Sequence, residues 1–287
     1  MTRPADSHPP ASRRTDRIAE MFERTRAEGR PAVVVFVPGG WPEVDATADI
    51  VQAALEGGAD AVEIGWPFSE PMGDGVVNQK AYEQAIANGC TGETVLDAVR
   101  ELRSRGVRAP LLVMGYFNPL LSYGISRFVL DAAQAGVDGL ITVDLPPHEA
   151  GELEGPAREA GIHMIYLLAP TSTDERIRLV GERGSGFVYC VGVVGITGAR
   201  SVLSDELPEY LGRVRSLTDL PLAVGFGIST REHVRTVGEI ADAAVVGSAF
   251  VQLVGDTPAE ERSARIRAYL EEITGRDPGT PVADPAV

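Results

Sequence analysis

Eight short apolar runs recur along the chain, at 32–37, 61–64, 111–114, 139–143, 163–167, 187–190, 222–224 and 243–246. Most are continuous rather than alternating, as expected of strands buried on both faces of a parallel sheet. Stretches with apolar residues three and four apart lie between them, at 44–55, 94–103, 127–135, 149–160, 174–183, 206–216 and 231–237. Asp45, Thr173 and Thr230 stand near the expected helix starts, and Gly57, Gly136, Gly161 and Gly238 near the ends. Eight strand-helix units predict an α/β fold of one domain, a (β/α)8 barrel with its functional face at the C-terminal ends of the strands. An open doubly wound sheet is the alternative.

The 287 residues, 44% of them hydrophobic, suffice for one large core. We expect the barrel over 18–273, between disordered tails at 1–17 and 274–287 that are rich in Pro with Arg, Ser, Gly or Asp. The first of these has no apolar segment of the secretory kind. No apolar run reaches membrane-spanning length, and a net charge of −15 disfavours nucleic acid and anionic lipid as partners. Cys90 and Cys190, the only cysteines, form neither a disulfide framework nor a metal-binding spacing, which fits a reducing, cytoplasmic compartment.

The stretch from Ala61 to Gly75, Ala-Val-Glu-Ile-Gly-Trp-Pro-Phe-Ser-Glu-Pro-Met-Gly-Asp-Gly, places two carboxylates where a strand gives way to a loop. Glu63 lies between Val62 and Ile64, so alternation turns it to the face opposite theirs, the interior of a barrel. An acid there is expensive unless it is paired or takes part in chemistry. A strand-end salt bridge is the plain alternative; the glycine loops further along favour chemistry. Gly225-Phe-Gly-Ile-Ser229 follows the seventh run, Gly247-Ser-Ala249 the eighth, and Gly195-Ile-Thr-Gly198 the sixth. The loops after strands seven and eight are where barrels of this kind commonly cradle phosphate on backbone N–H groups and a helix N-terminus.

The remaining inventory narrows the chemistry. Lys80 is the only lysine and does not lie at a strand end, which disfavours a Schiff-base aldolase. His8, His148, His163 and His233 are scattered, so no metal-ligand cluster is expected. No Gly-x-Gly-x-x-Gly follows the first run, so a dinucleotide is not favoured. Acid-base work by carboxylates and a tyrosine, without cofactor or metal, is left.

Six segments, taken together, resemble the tryptophan synthase alpha subunit family in order and approximate spacing over about residues 15–273. They are Glu63-Ile-Gly-Trp-Pro-Phe-Ser with Asp74-Gly75 and Gln79, Met114-Gly-Tyr-Phe-Asn-Pro119, Asp144-Leu-Pro146, Gly195-Ile-Thr-Gly198, Gly225-Phe-Gly-Ile-Ser229 and Gly247-Ser248. The resemblance implies a lyase of tryptophan biosynthesis that cleaves indole-3-glycerol phosphate to indole and glyceraldehyde 3-phosphate. It implies Glu63 as general acid and base, Asp74 as the acceptor of the indole N–H, and Tyr189 as a tyrosine near the glutamate. It also implies phosphate binding by Gly198, Gly227, Gly247 and Ser248, a closing loop containing Thr197, substrate contact by Gln79 and Gly225, and an indole pocket of Phe36, Tyr116 and Ile141. A beta subunit in an alpha2beta2 assembly is the implied partner.

Several positions depart from the family pattern. Gly40-Trp41-Pro42 stands where Gly-Asp-Pro is usual, the second loop carries Glu70, Gly73 and Val76, and Gly192-Val-Val194 lacks the usual serine. If Trp41 presents its ring at the rim, coupling to a beta subunit would weaken; packing against its own loop is the other expectation. A stand-alone lyase releasing indole, a weak barrel kept to activate a partner and an unrelated sugar-phosphate isomerase remain open at this point.

Overall fold

The computed structural model describes residues 15–192, 206–225 and 227–276. Its strands are β1 (Ala32–Pro38), β2 (Ala61–Gly65), β3 (Leu111–Gly115), β4 (Gly139–Thr142), β5 (His163–Ile165), β6 (Leu167–Leu168), β7 (Val188–Val191), β8 (Leu222–Gly225) and β9 (Ala243–Val246). They form one 9-stranded sheet in the order β5-β4-β3-β2-β1-β9-β8-β7-β6, and every pairing is parallel. The two ends of the sheet are the two halves of the fifth expected run, divided at Tyr166. The ring closes across that break, where Ser185 N–H donates to the Met164 carbonyl at 2.9 Å and Tyr189 N–H to the Tyr166 carbonyl at 3.0 Å. The expected eight-position barrel is therefore present, with its fifth strand interrupted rather than continuous.

Alternation along the strands sorts side chains into two layers. Ala32, Val34, Ala61, Leu112, Ile141, Ile165, Phe187, Ala223, Ala243 and Val245 form the interior cluster. Small residues from β1, β2, β8 and β9 face larger ones from β3, β4, β5 and the segment entering β7, so the interior is filled. The Arg17–Ala27 helix plugs the N-terminal end with Ile18, Met21 and Phe22, whose ring meets Phe187 edge-on at 6.0 Å. The opposite strand faces, among them Val35, Val37, Val62 and Ile64, pack in the outer core shared with the surrounding helices.

At that same end three aspartates tie neighbouring strands together. Asp60, just before β2, accepts from Val33 N–H at 2.9 Å; Asp138, before β4, accepts from Leu111 N–H at 2.9 Å; Asp242, before β9, accepts from Leu222 N–H at 2.9 Å. Asp60 also receives Arg24, Arg30 and Arg276. Each aspartate closes a short Gly- or Ile-led tripeptide, Gly58-Ala-Asp60, Gly136-Val-Asp138 and Ile240-Ala-Asp242, a repeat that strand periodicity alone passes over.

The helix ends follow side-chain chemistry in part. Thr173 and Thr230 cap their helices as expected, accepting from Arg176 N–H and His233 N–H. Asp45 does not: the second helix begins at Thr47 after Ala46, with no side-chain cap. Gly136 ends its helix in the left-handed region at φ 100°, where glycine is the cheapest residue. Helices also occupy Arg17–Ala27, Val76–Ala87, Phe117–Tyr123, Ser248–Asp256 and Ala259–Thr274. No described helix is long and apolar enough to cross a membrane.

Candidate active site

Register puts Glu63 inside the barrel. It pairs with Phe36 of β1 on one side and Leu112 of β3 on the other, and its residue exposure is 0%. Neither carboxylate oxygen has a hydrogen-bond partner among the described residues. Burial alone pushes its pKa from 4.5 up to about 8. The salt-bridge alternative for this residue is thereby set aside. At neutral pH Glu63 is an acid holding a proton, one of the few states in which a carboxyl group can both give and take one.

Asp74 comes from the loop after β2, just before Gly75 caps the Val76–Ala87 helix. Tyr116, directly after β3, donates its hydroxyl to Asp74 Oδ2 at 2.7 Å and accepts from Gly73 N–H at 2.9 Å. Asn78 Nδ2 donates to Asp74 Oδ1 at 3.1 Å, and Gln79 Nε2 donates to the Asp74 carbonyl at 2.8 Å. The expected site residues Asp74, Gln79 and Tyr116 are thus one hydrogen-bonded unit. Burial, and then the Asp74 carboxylate, raise the Tyr116 hydroxyl well above the usual phenol range, so it acts as a neutral donor.

Phe36 lines the same mouth, buried at the β1 position opposite Glu63, and Ile141 belongs to the interior cluster. Tyr189 enters from β7. Burial, then Glu63 and Asp74 in that order, raise its hydroxyl well above the usual range, which locates it within the field of both carboxylates. A Cβ on Gly225 would run into that hydroxyl, so glycine at the end of β8 makes room for the Tyr189 ring.

The glycine loops lie on the β8 and β9 side. Gly227 has φ 67°, a left-handed conformation suited to glycine. Gly247 caps the Ser248–Asp256 helix, which has no side-chain cap; Phe250 N–H donates to the Gly247 carbonyl at 2.8 Å, so the N–H groups of Ser248 and Ala249 are the ones at the helix start that can serve an anion. A Cβ at Gly247 meets nothing within 4 Å, so the packing of this chain does not demand glycine there. Ser229 ends the first of these loops, held by Tyr269, whose hydroxyl donates to the Ser229 carbonyl at 3.0 Å, and by His233 Nδ1, which accepts from Ser229 N–H at 3.3 Å. Thr197 and Gly198 lie outside the described residues.

Sequence reasoning did not single out Asn78 and Tyr82. Their signal was present: Asn78 and Tyr82 follow Asp74 at intervals of four, so the two fall in one row on the helix that starts just after Asp74. Trp41 proves to be a core residue, 6% exposed, with Nε1 donating to Gln84 Oε1 at 3.0 Å and its ring against Gly255. The expectation of an aromatic surface at the rim is corrected in favour of packing. Lys80 is exposed on the Val76–Ala87 helix. Among the described residues no group of His, Cys, Asp and Glu is arranged to hold a metal ion.

Known proteins resemble the chain over nearly this whole described body. The family model for the tryptophan synthase alpha chain matches residues 22–275. A tryptophan synthase alpha chain from Roseiflexus castenholzii is 46% identical over 259 residues, spanning 90% of this chain and 99% of that one. One from Aromatoleum aromaticum is 41% identical over 257 residues, 90% of this chain and 95% of that one. Among solved structures, Mycobacterium tuberculosis tryptophan synthase superimposes with a TM-score of 0.82 at 36% identity, covering 91% of this chain and 97% of that chain. The Legionella pneumophila alpha subunit gives 0.81 at 32% identity, covering 91% and 99%. A buried acid on β2, a tyrosine-bound aspartate after it and glycine loops after β8 and β9, on a chain alike along its length, lead to one conclusion: this chain belongs to the tryptophan synthase alpha chain family.

Proposed function

We propose that Glu63 and Asp74 carry out, in this chain, the cleavage of indole-3-glycerol phosphate to indole and glyceraldehyde 3-phosphate. The chain is a carbon–carbon lyase of tryptophan biosynthesis. Cleavage needs a proton at indole C3, so that the carbon can leave, and removal of a proton from the adjacent glycerol hydroxyl, so that a carbonyl can form. Glu63, protonated at neutral pH, delivers the first proton and, once ionised, accepts the second. The bond between C3 and the glycerol chain breaks as the second proton leaves the hydroxyl, its electron pair returning to the C3-protonated indole ring, and Glu63 ends as it began. Asp74, held by Tyr116 and Asn78, accepts the indole N–H and offsets the positive charge that builds on that nitrogen. Tyr189 lies close to both carboxylates, and Phe36, Tyr116 and Ile141 enclose the indole ring. Gly225, Gly227, Gly247 and Ser248 hold the phosphate with Gly198, Thr197 contacts the substrate, and Gln79 secures the backbone of Asp74.

The observation that carries this reading is the fully buried, unpartnered Glu63 on the wall that also presents Asp74. Members of this family work with a beta subunit, and we infer an alpha2beta2 assembly in the cytoplasm, with one catalytic domain over 18–273. The test is indole release from indole-3-glycerol phosphate by the wild type and by Glu63→Gln. Loss of about 10²- to 10⁴-fold is expected on removing general acid-base help; turnover within about threefold of wild type assigns the proton transfers elsewhere.

A further inference from the structure

Tyr82 brings a hydroxyl to the barrel mouth from the Val76–Ala87 helix. The residue is 1% exposed, and its ring stands edge-on to Phe36, with centroids 6.2 Å apart and planes at 88°. A Cβ built on Gly65 would lie 2.7 Å from the Tyr82 hydroxyl and 2.8 Å from the Phe36 ring. The bare backbone at Gly65 is therefore what admits the phenol. Gly65 is two residues beyond Glu63 on β2 and shares its inward face. The Tyr82 oxygen and both Glu63 oxygens are buried, and none has a hydrogen-bond partner among the described residues.

Packing does not account for that hydroxyl. A phenylalanine would fill the same space and keep the edge contact with Phe36, whereas an unpaired buried hydroxyl is destabilising. The ionisable neighbours of the Tyr82 hydroxyl are Asp74, Tyr116 and Glu63, and Tyr189 faces the two carboxylates from β7. Burial and these neighbours keep Tyr82 protonated, so it serves as a neutral donor. Of the other tyrosines at the mouth, Tyr116 has its hydroxyl committed to Asp74, while Tyr189, against Gly225, is a second phenol in the field of Glu63 that approaches from β7 rather than from the Val76–Ala87 helix.

We propose that Tyr82 is a positioning residue for Glu63, its O–H being the donor that holds the Glu63 carboxylate once that group has given its proton to the substrate. The inference rests on the acid-base role proposed for Glu63. The Glu63 proton goes to indole C3, the carboxylate turns to the Tyr82 hydroxyl, and the proton later taken from the glycerol hydroxyl restores the acid. Tyr82 keeps its own proton throughout. The ionised carboxylate is a stronger acceptor than the neutral acid, so a bond between the orphaned donor and the orphaned acceptors is stronger after the proton has left, which favours proton transfer over the resting form.

Tyr82→Phe in the full chain tests this. A hydrogen bond to the carboxylate lowers its pKa, so losing the donor should move the alkaline limb of the kcat profile up by about one pH unit and lower kcat about tenfold. The melting temperature should hold or rise, because the substitution removes an unpaired polar group. In parallel, infrared titration of the buried carboxyl band, identified by its absence in Glu63→Gln, should show the midpoint moving upward in Tyr82→Phe. Superimposable pH profiles with an unmoved carboxyl midpoint overturn the proposal, as does a fall in activity without either shift. Activity retained in Glu63→Gln would instead overturn the role of Glu63, and the carboxyl titration would still decide whether Tyr82 acts on it.

Discussion

The Tyr116 hydroxyl lies 2.7 Å from Asp74 Oδ2, and the same oxygen takes the Gly73 N–H at 2.9 Å, so one phenol fixes both the carboxylate and the loop that carries it. Phe68 supports the arrangement with its ring 5.3 Å from that of Tyr116. Tyr116→Phe keeps the ring contact and removes both hydrogen bonds. Hydrogen bonds to charged groups contribute about 1.5 to 3 kcal/mol, so kcat/KM for indole release should fall roughly 10- to 100-fold. Steady-state kinetics beside a thermal melt check this; unchanged kcat/KM would mean that Asp74 needs no fixing.

Glu63 gives the reaction and the fold opposite pH dependences from those of an ordinary carboxylate. Because the protonated form starts the reaction, kcat/KM should fall as pH rises through about 8. For stability, the unfolded group ionises near 4.5 and the folded one near 8, so between these values the folded chain holds the extra proton. Stability therefore declines with rising pH across that window. Glu63→Gln should remove this contribution and be more stable than wild type above pH 8 while inactive. Denaturant titrations of both proteins at several pH values would show it, and parallel pH trends would refute the buried-acid assignment.

Ser248 opens the helix whose N-terminus belongs to the proposed phosphate site. An aspartate at this position complements the helix N-terminus and should preserve or raise stability. Beside a phosphate dianion the same charge repels, so KM should rise about tenfold or more with little change in kcat. Unaltered KM would move the phosphate to another loop. Gly227→Val, at φ 67°, should weaken substrate binding similarly but also lose stability, which separates backbone strain from charge.

Asp60 provides the stability test. Its side chain is 0% exposed. Burial on its own would raise its pKa, but Arg30, Arg276 and the Val33 N–H outweigh that and hold it below the usual carboxylate range. The contribution is full above the unfolded carboxylate value and is lost as pH falls through the lower folded value. Asp60→Ala leaves three arginines without their shared acceptor and should destabilise by roughly 3 to 5 kcal/mol at neutral pH, with a smaller difference in acid. Equal acid denaturation midpoints in variant and wild type would count against this account.

Much of the site could be read from sequence because its residues sit at fixed points of strand period. Alternation alone turned Glu63 inward, and the glycines after β8 and β9 marked the loops where backbone N–H groups are exposed. Strand five was less legible: one apolar run, 163–167, spans a break at Tyr166 that depends on how β7 closes the ring, a long-range pairing with no local signal. Tyr82 escaped because its importance depends on Gly65, seventeen residues earlier, leaving room for it. Trp41 stayed open between rim and core because its burial partners, Gln84 and Gly255, lie far along the chain from it.

That burial changes what Trp41 predicts about partnership. With 6% exposure and Nε1 bonded to Gln84, Trp41 offers a beta subunit almost no surface. Trp41→Ala should lower stability by about 3 to 5 kcal/mol, as for a large core truncation, without changing partner affinity among the folded molecules. Loop two instead exposes Met72 at 91%, and Val76, the first residue of the helix that follows, is exposed at 65%, apolar surface on either side of Asp74. An aspartate at Met72 would add a charge where a contact must lose water, and one such mismatch can weaken binding by about 2 kcal/mol or more. Titrating wild type, Trp41→Ala and Met72→Asp with a tryptophan synthase beta subunit, reading Kd and stimulation of indole release, separates the two positions. Only Met72→Asp is expected to weaken binding, and its basal indole release should stay near wild type. A Kd that shifts for a folded Trp41→Ala protein and stays fixed for Met72→Asp would return the interface to the first loop.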